Sequence, residues 1–332
     1  MSPPDLAKAT IIPQILLRDA SSQNYTNRDS LFPGLYNDTM YPWAMVDTED
    51  GKRYGLFRAL CASAAMGFSI HECSTDRWTY PRLLRSAREA NLYWGQIIWL
   101  ENGGKSSLLP LTEPVAEKHP LTLEIGPERI VWQDDDVIDI VLTPIPRNVT
   151  TIYMPGASGD AGYTSAGYSI TGTVNGSRVT GGYGGIDRMY VAHGLSAHTS
   201  KIAGMENYWI VWGSLMEDGK WHTGNVFLGE GNLAIATFNQ PGTEPVLAIN
   251  EAVKSTVEWD SNGETRLPRS AALSFGGRRF EWTPTHNAVF NGPSARFAHL
   301  YATVQEVGGP KPVKSWSTME IIKARATPRN QI

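Results

Sequence analysis

Asp187 and Arg188 are neighbours in the run Gly184-Gly185-Ile186-Asp187-Arg188-Met189-Tyr190. Read as a strand, this run sends the two charged side chains to opposite faces, so one of them can point inward. An inward carboxylate with a shifted proton affinity is what acid–base chemistry on an alkene needs. An inward arginine or tyrosine would instead offer a hydrogen bond to a carbonyl on which charge grows. Asp187 also has a plainer reading, as an ion-pair partner or an anchor for the glycine-rich turn beside it. Asp187, Arg188 and Tyr190 are the candidate catalytic residues.

Seven further residues are candidates for lining a binding pocket: Trp43, Tyr208, Trp212, Trp282, His286, Arg296 and Glu72. Tyr208 and Trp212 can share a strand face, as can Trp282 and His286, whereas Trp209 and Trp212 cannot without a bulge. Glu72 alternates with His71, so one of the two can enter the first lobe and the other lies at its rim. Trp221 and His222 end a hairpin, where an exposed histidine is the plain reading.

Other chemistries lack their residues. Gly103-Gly104-Lys105-Ser106 misses the first glycine of a phosphate loop, and no helix follows Gly181-Gly182-Tyr183-Gly184-Gly185 to complete a dinucleotide fingerprint. No Gly-x-Ser-x-Gly nucleophile elbow occurs. The seven histidines include no His-x-His or His-x-x-x-His pair. Asp134-Asp135-Asp136 reads as a solvated turn, and Cys61 and Cys73 as two buried thiols. No cofactor and no metal is expected.

The elements that must position the candidates read as short strands. Trp43–Val46 and Tyr54–Leu60 flank Asp50-Gly51, and Met66–Glu72 follows. Tyr168–Val174 and Arg178–Gly182 flank Asn175-Gly176, the clearest hairpin in the chain. Tyr208–Met216 and His222–Leu228 flank Asp218-Gly219. Thr48-Glu49-Asp50-Gly51-Lys52 and Met216-Glu217-Asp218-Gly219-Lys220 match, which suggests duplicated β domains. Residues 79–91 form the best helix candidate, with Pro81 in its first turn and Leu83, Leu84 and Ala87 on one face. Residues 144–166, rich in proline and glycine, break the pattern and suggest a junction. The expected organisation is an irregular segment over 1–30, a β domain over 31–166 and a second, lipocalin-like β domain over 167–332. The fold class is all-β: two antiparallel barrels or sandwiches with few short helices.

The 332 residues are 41% hydrophobic and 19% charged, enough for a packed core. The net charge of -4, with no basic run, argues against nucleic acid as a partner. No apolar stretch reaches the length of a membrane span. The N-terminus has no leader-like pattern, so the compartment is expected to be cytoplasmic, or secretory if a leader has been removed. Sequons at Asn24, Asn37, Asn148 and Asn175 would matter only in the second case. The oligomeric state is left open.

Tyr168–Gly176, the glycine-rich run to Tyr190 and the Trp-rich segment Glu206–Lys220, in that order, resemble the second half of the carotenoid hydratase/AttH-like superfamily. Tyr41-Pro42-Trp43 with Asp50–Gly55 resembles the opening of its first domain. The superfamily includes kievitone-hydratase-like proteins and fungal Diels–Alderases. The resemblance, in outline over residues 35–325, implies two lipocalin-like β domains, an apolar pocket between them and chemistry without a cofactor. It implies an apolar small-molecule substrate and does not fix the reaction. The first expectation is a cyclase of the Diels–Alderase kind, acting on a polyene or quinone-methide-like intermediate of natural-product biosynthesis. A hydratase or dehydratase on an isoprenoid or phenolic alkene comes second, and a lipid or pigment carrier is the non-enzymatic rival.

Overall fold

The computed structural model describes residues 14–18, 32, 34–61, 64–73, 82–85, 97–102, 105–110, 121–125, 128–134, 136–154, 160–192, 207–230, 233–259, 268–288 and 297–322. Nearly all of them are strand. The first sheet contains β1 (Gln14–Arg18), β2 (Leu35–Thr48), β3 (Arg53–Cys61), β4 (Ala64–Cys73), β5 (Arg82–Arg85) and β6 (Ile97–Asn102). It continues with β7 (Lys105–Pro110), β8 (Leu121–Ile125), β9 (Ile130–Asp134), β10 (Ile138–Met154), β11 (Ala161–Val174) and β12 (Ser177–Ala192). The second sheet contains β13 (Tyr208–Leu215), β14 (Trp221–Leu228), β15 (Ala234–Asn239), β16 (Val246–Ile249) and β17 (Lys254–Trp259). It ends with β18 (Pro268–Phe275), β19 (Arg278–Ala288), β20 (Phe297–Glu306) and β21 (Lys314–Ile322). Among the described residues the one helical turn is a 3-10 turn at Asn250–Ala252.

The all-β expectation holds: both sheets are antiparallel and curled as half-barrels. The first is 12-stranded, ordered β5-β4-β3-β2-β12-β11-β10-β9-β8-β7-β6 with β1 on β10. The second is 9-stranded, ordered β16-β15-β14-β13-β21-β20-β19-β18-β17. Laid strand on strand, the second order repeats the first from β5 through β8. The two matching pentapeptides also form the same hairpin. Thr48 N–H donates to Lys52 O and Gly51 N–H to Thr48 O, while Met216 N–H donates to Lys220 O and Gly219 N–H to Met216 O. Gly51 and Gly219 hold φ of 79° and 76°, a conformation that favours glycine.

The division between the units falls later than expected. One compact unit contains Pro13–Glu72 and Arg82–Ile202, and the other runs through Ala203–Ile332. A cut at 166/167 would pass through β11 and would separate β12 from β2, its neighbour in the first sheet. The prolines that suggested a break lie inside β10. On one flank of β10, pairing to β9 ends at Leu142 and pairing to β1 begins at Val149. Pro144 and Pro146 sit in that gap, beside a register shift between Pro144 and Val149 and a positive φ at Arg147. A missing N–H costs nothing where no partner strand waits for it.

The helix expected over 79–91 is also corrected. Arg82–Arg85 is β5, paired to β4 through Glu72↔Arg82 and Ile70↔Arg85, and the rest of that segment lies outside the described residues. Hydrogen bonding to the open flank of β4 overrides a weak local helix preference.

Each sheet packs one face into an apolar cluster. Trp132, Tyr168, Ile140 and Leu142 belong to the first, and Trp212, Trp282, Phe238 and Phe280 to the second. Burial alternates along the strands as the pleat requires, for example in β17, where Ser255 and Val257 are buried and Lys254, Thr256 and Glu258 exposed.

Candidate functional site

The first sheet has a second buried face, and Asp187 lies on it. In β12, Asp187 pairs with Tyr41 of β2 and Ser165 of β11, and Gly185 pairs with Trp43 and Gly167. Directly paired residues share a face. Asp187, Trp43, Tyr163 and Tyr183 therefore stand on one side, while Ala44, Ala166, Tyr168 and Ile186 enter the apolar cluster on the other. Asp187 is 4% exposed. Trp43 Nε1–H donates to its Oδ2 at 2.8 Å, and Tyr163 Oη–H donates to its Oδ1 at 2.8 Å. Both donors stabilise negative charge on the carboxylate and fix its plane.

Tyr183 completes the group. Its ring meets Trp43 edge-on at 5.6 Å between centroids, and Asn148 Nδ2–H donates to its hydroxyl oxygen at 3.2 Å. Burial raises the pKa of the Tyr183 hydroxyl well above the ordinary tyrosine value; the Asn148 hydrogen bond opposes this, and the negative charge of Asp187 adds to it. The phenol therefore stays protonated. The glycines of this stretch are a floor for side chains rather than a phosphate loop. A Cβ on Gly185 would stand 2.7 Å from the Trp43 ring, and one on Gly167 would run into the Asn148 amide and the Tyr183 hydroxyl. The arrangement can accept and return a proton through the carboxylate and can offer the phenol proton to an oxygen.

Of the ten site candidates, Trp43 and Asp187 meet here. Arg188 is buried on the opposite face, where its partners are Thr164 and Met40. Tyr190 has the same parity as Arg188 along β12, and it packs against Phe32 at 4.9 Å between ring centroids. Strand alternation thus separates Asp187 from the other two catalytic candidates. Tyr208, Trp212 and Trp282 fill the apolar cluster of the second sheet, where burial pushes the Tyr208 hydroxyl up to about 12. Glu72 lies near the β2–β3 hairpin, its Oε2 3.2 Å from Lys52 Nζ, a rim position. The expected shared face of Trp282 and His286 fails in the backbone. Trp282 pairs with Val304, but a register shift between Pro284 and His286 sets His286 against Tyr301. Arg296 lies outside the described residues.

Three site residues were missed. Tyr183 was legible, since Tyr183, Gly185 and Asp187 alternate onto one face. Tyr163 and Asn148 fell in the stretch taken for a junction. The acidic triplet is also corrected: Asp134 is no solvated turn residue but is 1% exposed, paired in bidentate fashion with Arg58 at 2.6 and 2.5 Å. Trp132 Nε1–H also reaches it, at 3.3 Å.

Fold and site together define a protein of two antiparallel half-barrel sheets, the first carrying a buried carboxylate held by aromatic donors. Among solved structures the chain is similar to kievitone hydratase from Nectria haematococca, at 12% identity over 92% of this chain and 93% of that one, with a TM-score of 0.49. It is also similar to an AttH candidate from Nitrosomonas europaea, at 11% identity over 91% of this chain and 94% of that one, with a TM-score of 0.47. No family profile and no curated protein matches the chain. Among the described residues no helix is long and apolar enough to cross a membrane, and no three His, Cys, Asp or Glu side chains gather as a metal site.

Proposed function

We propose that the protein is a hydro-lyase that adds water to, or removes it from, an alkene in an apolar small molecule, with Asp187 as the proton-transferring group. The observation that carries this reading is the direction of two aromatic donors. The Trp43 N–H and the Tyr163 O–H both point at Asp187, so the cluster presents a held base rather than a bare donor. The rings of Trp43, Tyr163 and Tyr183 around the carboxylate suit an apolar substrate with few polar groups.

In the hydration direction, Asp187 takes a proton from water as the water oxygen bonds to one alkene carbon. The π electrons move to the neighbouring carbon, which then takes the proton back from Asp187. The sum is H and OH added across the double bond, with the carboxylate regenerated. Dehydration is the reverse.

A second reading, cyclisation, draws on the Asn148–Tyr183 pair. Asn148 donates to the phenol oxygen and so strengthens the phenol O–H as a donor to a substrate carbonyl. A polyene held folded beside it would cyclise with part of its entropy already removed.

The test is turnover of conjugated polyenes and aryl alkenes in oxygen-labelled water. Label enters the product under the first reading, and Asp187→Asn slows turnover by roughly 10²–10⁴-fold. A cyclised product without label, formed at full rate by Asp187→Asn and lost in Tyr183→Phe, would overturn the hydro-lyase in favour of cyclisation.

A further inference from the structure

The hairpin match aligns β2 with β13: Thr48 answers to Met216, and residue by residue back along the two strands Tyr41 answers to Trp209. Tyr41 pairs with Asp187, and Trp209 pairs with Glu320. Glu320 therefore holds in the second sheet the place that Asp187 holds in the first, again a carboxylate on the face away from the apolar cluster. His299 pairs directly with Glu320 across β20 and β21, and its Nε2 lies 2.7 Å from Glu320 Oε2. Thr318 precedes Glu320 on the same face of β21, opposite Tyr301. It is 4% exposed, and its Oγ1 has no hydrogen-bond partner among the described residues. Native structures rarely leave a buried hydroxyl in that condition, and one that they do leave calls for a functional or structural reason. Trp209, stacked on Phe227 and fixed by Nε1–H donation to Asn225 Oδ1 at 2.8 Å, gives the same face an aromatic wall.

We propose that Thr318 and Glu320 form a second small-molecule site, one that takes the hydroxyl group of a neutral phenol or alicyclic alcohol, with His299 as a positioning residue. The chemistry selects the group. Thr318 Oγ1–H needs an acceptor, and the Glu320 carboxylate needs a donor and repels a second anion. A hydroxyl is both. Residues two apart on one strand face stand about 6–7 Å apart at the backbone, and the longer Glu320 side chain can lean toward Thr318 to bring the two polar groups within reach of one shared oxygen with hydrogen bonds of about 2.8 Å. His299 holds Glu320 in place. The site does not depend on the reading of Asp187.

The experiment uses the full chain and fluorine NMR with 4-fluorophenol and fluorobenzene, which differ by one hydroxyl. The expected result is saturable binding of 4-fluorophenol, tighter than that of fluorobenzene. Thr318→Val and Glu320→Gln each weaken 4-fluorophenol about three- to tenfold, the worth of one hydrogen bond. Thr318→Val keeps the branched shape and removes a buried hydroxyl, so its melting temperature does not fall and loss of fold does not confound the result. His299→Gln keeps an N–H for Glu320 and retains affinity, whereas His299→Ala loses it; equal losses in both would remove His299 from the site. Asp187→Asn leaves 4-fluorophenol binding unchanged, so failure here and failure of the hydro-lyase reading are told apart. Equal affinity for the two probes, no saturable binding of 4-fluorophenol, or undiminished binding in Thr318→Val and Glu320→Gln would overturn the proposal.

Discussion

Trp43 and Asp187 are 144 residues apart in the chain and share a buried hydrogen bond of 2.8 Å. The contact exists because β2, near the start, and β12, much later, are neighbours in the first sheet. Trp43→Phe keeps an aromatic ring over Gly185 and removes the donor. Asp187 then keeps Tyr163 and loses Trp43 in a place where water hardly reaches. The expected cost is about 1–3 kcal/mol, read as a lower midpoint in denaturant unfolding. An unchanged midpoint would show that the indole N–H does nothing for the carboxylate.

Arg58 and Asp134 make a second buried pair, each side chain 1% exposed. Breaking it from one side is worse than removing it. Arg58→Met takes away the guanidinium that makes two hydrogen bonds to the buried Asp134 carboxylate, at an expected cost of about 3–5 kcal/mol. Arg58→Met with Asp134→Leu takes away the buried carboxylate as well and recovers most of that loss. Chemical denaturation of both variants decides the matter: a double variant as weak as the single one would mean that the pair is stabilising in its own right.

The strands that were legible are those bounded by strong turns. Asn175-Gly176 is the clearest case, with φ of 51° and 75° at the two positions, as a tight hairpin turn demands. Pairing across long separations was not legible. Nothing local in Pro144 or Pro146 says that neighbouring strands leave a gap beside them, so β10 looked broken. The same blindness hid Asp134, whose acidic neighbours suggest solvent while its partner Arg58 lies 76 residues away. The residue types of Asp187 and Trp43 make them candidates in the sequence alone. Their meeting, and the exclusion of Tyr190 by strand parity, needed the register.

Gly167 tests whether the glycine-rich strands serve the site. A methyl group there would collide with the Asn148 amide and the Tyr183 hydroxyl, so Gly167→Ala must push that pair apart. Overpacking of this kind costs about 1–3 kcal/mol. Backbone conformation is not the cause, since Gly167 has no positive φ. Thermal melts of Gly167→Ala alone and with Asn148→Ala separate the terms. Relief of the loss in the double variant is expected; additive losses would place the strain elsewhere.

Tyr208 gives a prediction in alkaline solution. It is 3% exposed in the apolar cluster of the second sheet, with the Trp259 ring 6.1 Å away between centroids. Burial raises its hydroxyl from 10.0 to about 12. The unfolded chain therefore releases this proton first, and between those values it binds fewer protons than the folded chain. Stability falls as pH rises through that window and is undiminished by this group below pH 10. Tyr208→Phe has no proton to release, so its stability declines less steeply over the same range. Part of the decline persists, because burial raises Tyr183 as well. Unfolding midpoints measured across the window check this. Parallel curves for the parent and Tyr208→Phe would mean that the phenolate of Tyr208 is tolerated in the fold, and that its place in the cluster is not closed to water.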